Sequence, residues 1–68
     1  MRAYKVYIIA EDAAGNEMRF VEIAEYPDRS TGLSGCVQED EREAKAVAQV
    51  CRRMPYLKHV RADWSIHV

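Results

Sequence analysis

Four side chains in this 68-residue chain are of the types that bind zinc, namely Cys36, Cys51, His59 and His67. Zinc ligands usually come in close pairs, with about two to five residues between them. Here the separations are 15, 8 and 8 positions. On one strand, at about 3.3 Å per residue, the two histidines lie too far apart to share an ion. The spacing predicts no metal site, and we expect no other cofactor.

The stretch GLSGC, residues 32–36, is the only glycine-rich segment that resembles a phosphate-binding loop. It has neither the spacing GxxxxGK[ST] nor the spacing GxGxxG that such loops require. Four carboxylates follow it, at Glu39, Asp40, Glu41 and Glu43, and would repel a phosphate. We therefore expect a turn.

Nucleophilic catalysis needs a cysteine or serine beside a base. Cys36 precedes a predicted helix, where a thiol can be activated, but the neighbouring acids oppose that effect. Cys51 falls on the apolar stripe of the same helix and is expected in the core. We predict that the chain is not an enzyme.

The charges are sorted along the chain, although the net charge is only -1. Residues 11–43 hold ten acids and three bases, and the remaining residues hold one acid and seven bases. This profile does not favour a general nucleic-acid binder. It favours binding of a protein with a basic surface. The predicted partner-binding residues are Glu39, Asp40, Glu41 and Glu43, with Glu11 and Asp12 as a second candidate patch.

These residues must be positioned by a small number of elements. Residues 3–10 and 17–26 are rich in aromatic and β-branched types and predict two strands of an antiparallel hairpin. A helix is expected from an N-cap at Asp40 to a stop before Pro55. Residues 57–67 predict a third strand.

The order β-β-α-β predicts a single α+β domain over residues 1–68. We expect a three-stranded antiparallel sheet in the order 2-1-3, with one helix packed on one face. The phase of the second strand shifts near Phe20, which indicates either a bulge or a strand that is apolar on both faces. The predicted buried stripe of the helix contains Ala44, Val47, Ala48, Val50, Cys51 and Met54.

The last ten residues, HVRADWSIHV, alternate apolar and polar. We expect Val60, Ala62, Trp64 and Ile66 to face the helix, because alternate residues of a strand share one face. The uncovered face would then carry His59, Arg61, Asp63, Ser65 and His67. It would also carry Lys5, Tyr7 and Ile9 of the first strand and Arg19, Val21 and Ile23 of the second.

This mixed face is a second candidate binding surface. Tyr7, Arg19, His59, Arg61 and His67 are of the types that contact single-stranded RNA on open sheets. An unpaired edge strand also predicts a homodimer formed through the sheet.

One family resemblance appears over residues 27–44. Pro27-Asp28, the segment LSGCV at residues 33–37, an acidic stretch and Glu43-Ala44 resemble the HicB-like antitoxins, whose RNase H-like domain carries a PDLPGC segment before an acidic helix start. The resemblance implies a β-β-α-β order and a small toxin as partner. In size and type the chain is also similar to phage-encoded anti-CRISPR inhibitors, which implies occlusion of an effector surface.

We expect no secretory signal, since Arg2 and Lys5 are followed only by a short apolar stretch, and the sequence shows no apolar run of membrane-spanning length. We expect a cytoplasmic protein that binds another protein as a stoichiometric inhibitor and does not bind a membrane. The alternatives are an antitoxin-like module and an RNA-binding sheet domain.

Overall fold

The computed structural model describes residues 2–26 and 39–68. The elements, in chain order, are β1 (Arg2–Glu11), β2 (Glu17–Tyr26), α1 (Glu39–Arg53) and β3 (Lys58–His67). The turn expected at GLSGC, which includes Cys36, lies outside the described residues. So does most of the segment that resembles the HicB-like antitoxins.

The three strands form one antiparallel sheet in the order β2-β1-β3, and α1 packs on one face of it. This confirms the predicted α+β fold and its strand order. The β1–β2 register is continuous from Arg2↔Tyr26 to Glu11↔Glu17. The predicted bulge near Phe20 is therefore absent from this pairing, and β2 is apolar on both faces.

The β1–β2 turn is held by Asp12. Its carboxylate accepts hydrogen bonds from the backbone amides of Ala14 (2.9 Å) and Asn16 (2.8 Å), and these bonds lower its pKa. Gly15 has φ +87°, a left-handed conformation that glycine adopts without the penalty of a Cβ. The turn therefore requires the residue types that the sequence has there.

The covered face of the sheet carries the core. Tyr4, Val6, Ile8 and Ala10 of β1 are buried, as their alternation predicted. Ala24 of β2 packs with them. The helix contributes Ala46 and Val50, and Leu57 closes the end of this core. Because three residues of the cluster are alanines, the core is thin and the helix lies close to the sheet.

The predicted buried stripe of α1 is correct only in part. Val50 is buried, and Val47 and Met54 pack against the core as expected. Ala44, Ala48 and Cys51 are instead exposed, and the buried Ala46 was not predicted, so the helix is rotated about its axis relative to the prediction. Polar side chains of the helix bond to the sheet and hold it in this rotation. Alanines occur on both sides of the helix, so the sequence pattern did not distinguish the two orientations.

The first turn of α1 contains Glu39, Asp40 and Glu41, and the last contains Arg52 and Arg53. This arrangement suits the helix dipole. The predicted N-cap at Asp40 was wrong, since Asp40 already lies inside the helix. Within residues 2–26 and 39–68, no helix is both long enough and apolar enough to span a membrane.

Strand β3 does not keep its alternation, because Ile8 pairs with Ala62 whereas Tyr7 pairs with Trp64. Asp63 is the extra residue of this β-bulge, and a bulge moves the following residues to the opposite face. A second irregularity lies between Ile9 and Glu11, where His59 has φ 53°.

Because of this bulge, four residues lie on the face opposite to the one predicted. Trp64 and Ile66 lie on the uncovered face and not against the helix. Ser65 is buried under α1, and His67 contacts the ring of Tyr4 on the covered side. Val60 and Ala62, which precede the bulge, pack against the core as expected.

Candidate protein-binding surface

The uncovered side of the sheet presents three rows of three side chains, which the strand register defines. The rows are Ile23–Lys5–Ile66, Val21–Tyr7–Trp64 and Arg19–Ile9–Arg61. We call these nine residues the open face. Six of the nine are apolar or aromatic, although no helix or strand among residues 2–26 and 39–68 covers this face.

The middle row forms the apolar centre of the open face. The rings of Tyr7 and Trp64 stack with centroids 4.0 Å apart and an interplanar angle of 16°. Val21, Ile23, Trp64 and Ile66 remain 42–45 % exposed. Side chains of this size and exposure, grouped in one place, are typical of a binding surface.

Three cations surround this centre. Arg19 bonds Glu17 through Nε at 3.0 Å, and both side chains are largely exposed. Among the described residues, neither Lys5 nor Arg61 forms an ion pair; Arg61 donates to the carbonyl of His59 at 3.0 Å. On the same side of the sheet, the end rows carry Glu11, Glu17 and Glu25, and Asp63 lies beside Trp64, so the cations do not give this side a net positive charge.

A shallow depression of about 360 Å³ lies over the middle and arginine rows. Its lining includes Tyr7, Arg19, Val21, Asp63 and Trp64. Within the part of the chain that the structure describes, no cysteine, serine or histidine lines it. Most of its lining side chains are apolar or aromatic.

Side chains donate hydrogen bonds to backbone carbonyls along both edges of the sheet. On β2, Gln49 donates to the carbonyl of Ile23 at 2.9 Å, and Lys45 donates to that of Glu25. On β3, the Arg61 side chain donates to the carbonyl of His59, where the register with β1 is irregular. Natural sheets use such features to prevent pairing with another strand.

The covered face contains a buried carboxylate that fixes the helix. Glu22 accepts two hydrogen bonds from Arg53, at 2.8 and 2.7 Å, and one from Gln49 at 2.9 Å. The Arg53 guanidinium, and to a smaller extent Gln49, lower the pKa of Glu22. The contact joins β2 to the C-terminal half of α1.

The N-terminal half of α1 is held by aromatic residues. The Arg42 guanidinium lies 4.7 Å from the centre of the buried Tyr4 ring, and its Nε donates to Ser65 at 2.7 Å. Tyr26 donates to the carbonyl of Glu41 at 2.8 Å, and burial raises its pKa. These contacts explain why Ser65 is buried.

The six predicted acidic residues lie in two separate places, in keeping with the two patches predicted. Glu11 and Asp12 lie at the hairpin end of the sheet, whereas the helix start lies near Tyr26, at the other end. Asp12 holds the turn, and the Glu43 carboxylate accepts from Ser65 at 3.3 Å. This leaves Glu39, Asp40 and Glu41 exposed together, and partner binding there stays a prediction.

The alternative sheet residues are only partly brought together. Tyr7, Arg19 and Arg61 belong to the open face. His59 lies beside it, 3.8 Å from the carboxylate of Glu11, and His67 lies on the covered side. Sequence reasoning missed Trp64 and Ile66, because the bulge that exposes them has no sequence signature.

The described residues contain no group of three or more His, Cys, Asp or Glu side chains placed to hold a metal ion. The chain matches no family model, no curated protein and no solved structure.

Proposed function

We propose that this chain is a non-catalytic protein-binding domain and that the open face is its contact surface. The exposed Val21–Tyr7–Trp64 row, flanked by Ile23 and Ile66, is the observation that carries the proposal. Aromatic residues and arginine are enriched at the centres of protein interfaces. Here they occur together on a rigid sheet whose other face is held by α1.

Such a domain would act by covering a surface of its partner. An inhibitor, whether of an effector complex or of a small toxin, needs only this property when it occludes a surface that its partner requires. We place this activity in the cytoplasm, where free thiols such as that of Cys51 remain reduced.

Two alanine variants test the proposal. Trp64 and Tyr56 are both exposed aromatic residues, at 45 % and 57 %, but Tyr56 lies in the turn between α1 and β3. Tagged wild-type, Trp64→Ala and Tyr56→Ala chains are used to capture proteins from nuclease-treated host lysate, with quantitative mass spectrometry. We expect a partner that wild type and Tyr56→Ala retain and Trp64→Ala loses. Equal recovery of the partner by all three chains would exclude the open face as its contact surface.

A second candidate function is binding of single-stranded RNA. The Tyr7–Trp64 pair supplies two aromatic rings for stacking, and Lys5, Arg19 and Arg61 supply charge for phosphates. This function predicts that labelled single-stranded RNA binds with an affinity that falls steeply with salt. It also predicts weaker binding by Arg61→Ala. Fluorescence anisotropy that detects no RNA binding at low salt would exclude this candidate.

A further inference from the structure

We propose that the outer edge of β2, over Glu17, Arg19 and Val21, pairs with the same edge of a second copy of this chain. The product is a closed, two-fold dimer in which two three-stranded sheets join into one antiparallel sheet. This inference does not depend on the proposed function, because it uses the edge of the sheet and leaves the open face uncovered.

The hydrogen-bonding pattern determines which backbone groups of β2 point outward. The Asp12 amide donates to the carbonyl of Asn16 at 2.9 Å, and the even-numbered pairs of the β1–β2 register follow from this pair. Hydrogen-bonded and non-hydrogen-bonded pairs alternate in an antiparallel ladder. The odd-numbered residues of β2 therefore direct their amides and carbonyls away from β1, where a neighbouring strand can bond to them.

The helix protects only one half of this edge. Gln49 and Lys45 donate to the outward carbonyls of Ile23 and Glu25, in the half that ends at Tyr26. Within residues 2–26 and 39–68, no side chain bonds the outward backbone groups of the other three odd-numbered residues of β2. The half of the edge next to the hairpin turn is therefore open to a second strand.

The side chains of this open half complement themselves when two copies run antiparallel. If Met18 lies opposite Met18 of the second copy, Glu17 lies opposite Arg19 of that copy, and Arg19 opposite its Glu17. The Cα atoms of such pairs are about 5.5 Å apart, and opposite charges at this distance stabilise a sheet. Glu17 and Arg19 already pair within the strand at 3.0 Å, so the dimer would hold four charges of alternating sign.

The neighbouring registers are less favourable. A pairing centred on Arg19 would bring two arginines face to face, and like charges directly opposite each other destabilise a sheet. A pairing centred on Phe20 would use the carbonyl of Ile23, which already accepts from Gln49. In the register centred on Met18, the Met18 side chains of the two copies meet on the covered side, where Met18 and Phe20 are only partly buried.

Sedimentation equilibrium over a dilution series tests this pairing with two charge reversals. Wild type should dimerise reversibly, whereas Glu17→Arg and Arg19→Glu should each sediment as monomers, because like charges then oppose each other. An equal mixture of the two variants should form a heterodimer, since each arginine then faces a glutamate of the other chain. Mixing cannot restore an ion pair that lies within one strand. Arg61→Glu, a matched reversal on the opposite edge strand, and Trp64→Ala should dimerise as wild type does.

The outcomes separate this inference from the proposed function. A wild type that stays monomeric at every concentration would overturn the inference and leave the proposed function standing. A dimer that both reversals retain, or an equal mixture that stays monomeric, would also overturn the pairing of Glu17 with Arg19. A wild-type dimer that Trp64→Ala dissociates would place self-association on the open face and contradict the edge contact.

Discussion

The two faces of this sheet are built from the same three strands but differ in the size and exposure of their side chains. The covered face buries small apolar side chains under α1 and joins sheet to helix through Glu22, Arg53, Arg42 and Ser65. The open face keeps larger apolar and aromatic side chains exposed, beside cations. We therefore expect the covered face to contribute most of the free energy of folding, and we propose that the open face binds the partner. Substitutions of one residue type on each face should separate the two roles.

The largest effect is expected for isoleucine truncation on the covered face. Ile8 is almost fully buried, whereas Ile66 is 42 % exposed. Ile8→Ala should lower the free energy of unfolding by about 2–4 kcal/mol, and Ile66→Ala by less than about 1 kcal/mol. Urea denaturation followed by circular dichroism measures both. Similar losses for the two variants would show that the faces do not differ in this way.

The next effect concerns Glu22. Glu22→Gln removes its charge-assisted hydrogen bonds and should lower the free energy of unfolding by about 1–2 kcal/mol near pH 7. Its pKa is lowered in the folded state from an ordinary value of 4.5. Its contribution to stability is therefore complete above that value and is lost as the pH falls through the lower, folded-state pKa.

Denaturation as a function of pH checks the role of Glu22. Wild type should lose stability below about pH 5, and Glu22→Gln should lose less over the same range. Part of the slope will remain, since the pKa of Asp12 is lowered as well. Parallel curves for the two proteins would mean that Glu22 is not paired in solution.

The smallest effect is expected on the outer side of α1. Cys51 is exposed, so Cys51→Ser should change the free energy of unfolding by less than about 0.5 kcal/mol. In a Cys36→Ser background, a thiol reagent should modify Cys51 in the native protein as fast as in a short peptide. A modification rate limited by unfolding would show that the Cys51 thiol is buried, as the sequence predicted.

The element order and strand limits could be predicted, because they depend on local composition and on turn residues such as Gly15. The rotation of α1 could not, because alanines occur on both of its sides. That rotation is fixed by Gln49 and Arg53, whose partner Glu22 is distant in sequence. The choice of face depends on these contacts and not on periodicity.

The open face could be predicted only in part, for a different reason. Residues 60–68 alternate without interruption, so the pattern predicts a single apolar face. One extra residue at Asp63 reverses the faces beyond it, and any residue type can occupy that position in an exposed strand. The burial of Ser65, which contacts Arg42 and Glu43 of α1, becomes visible only in the structure.

The central claim is that Trp64, the sole tryptophan, lies uncovered on the open face. Acrylamide quenching of its fluorescence in the free, monomeric protein at low concentration tests this most directly. We expect emission at long wavelength and a quenching constant of about half that of the urea-unfolded chain, in keeping with its partial exposure. Emission at short wavelength with little quenching would place Trp64 under the helix and contradict the two-faced account of the sheet.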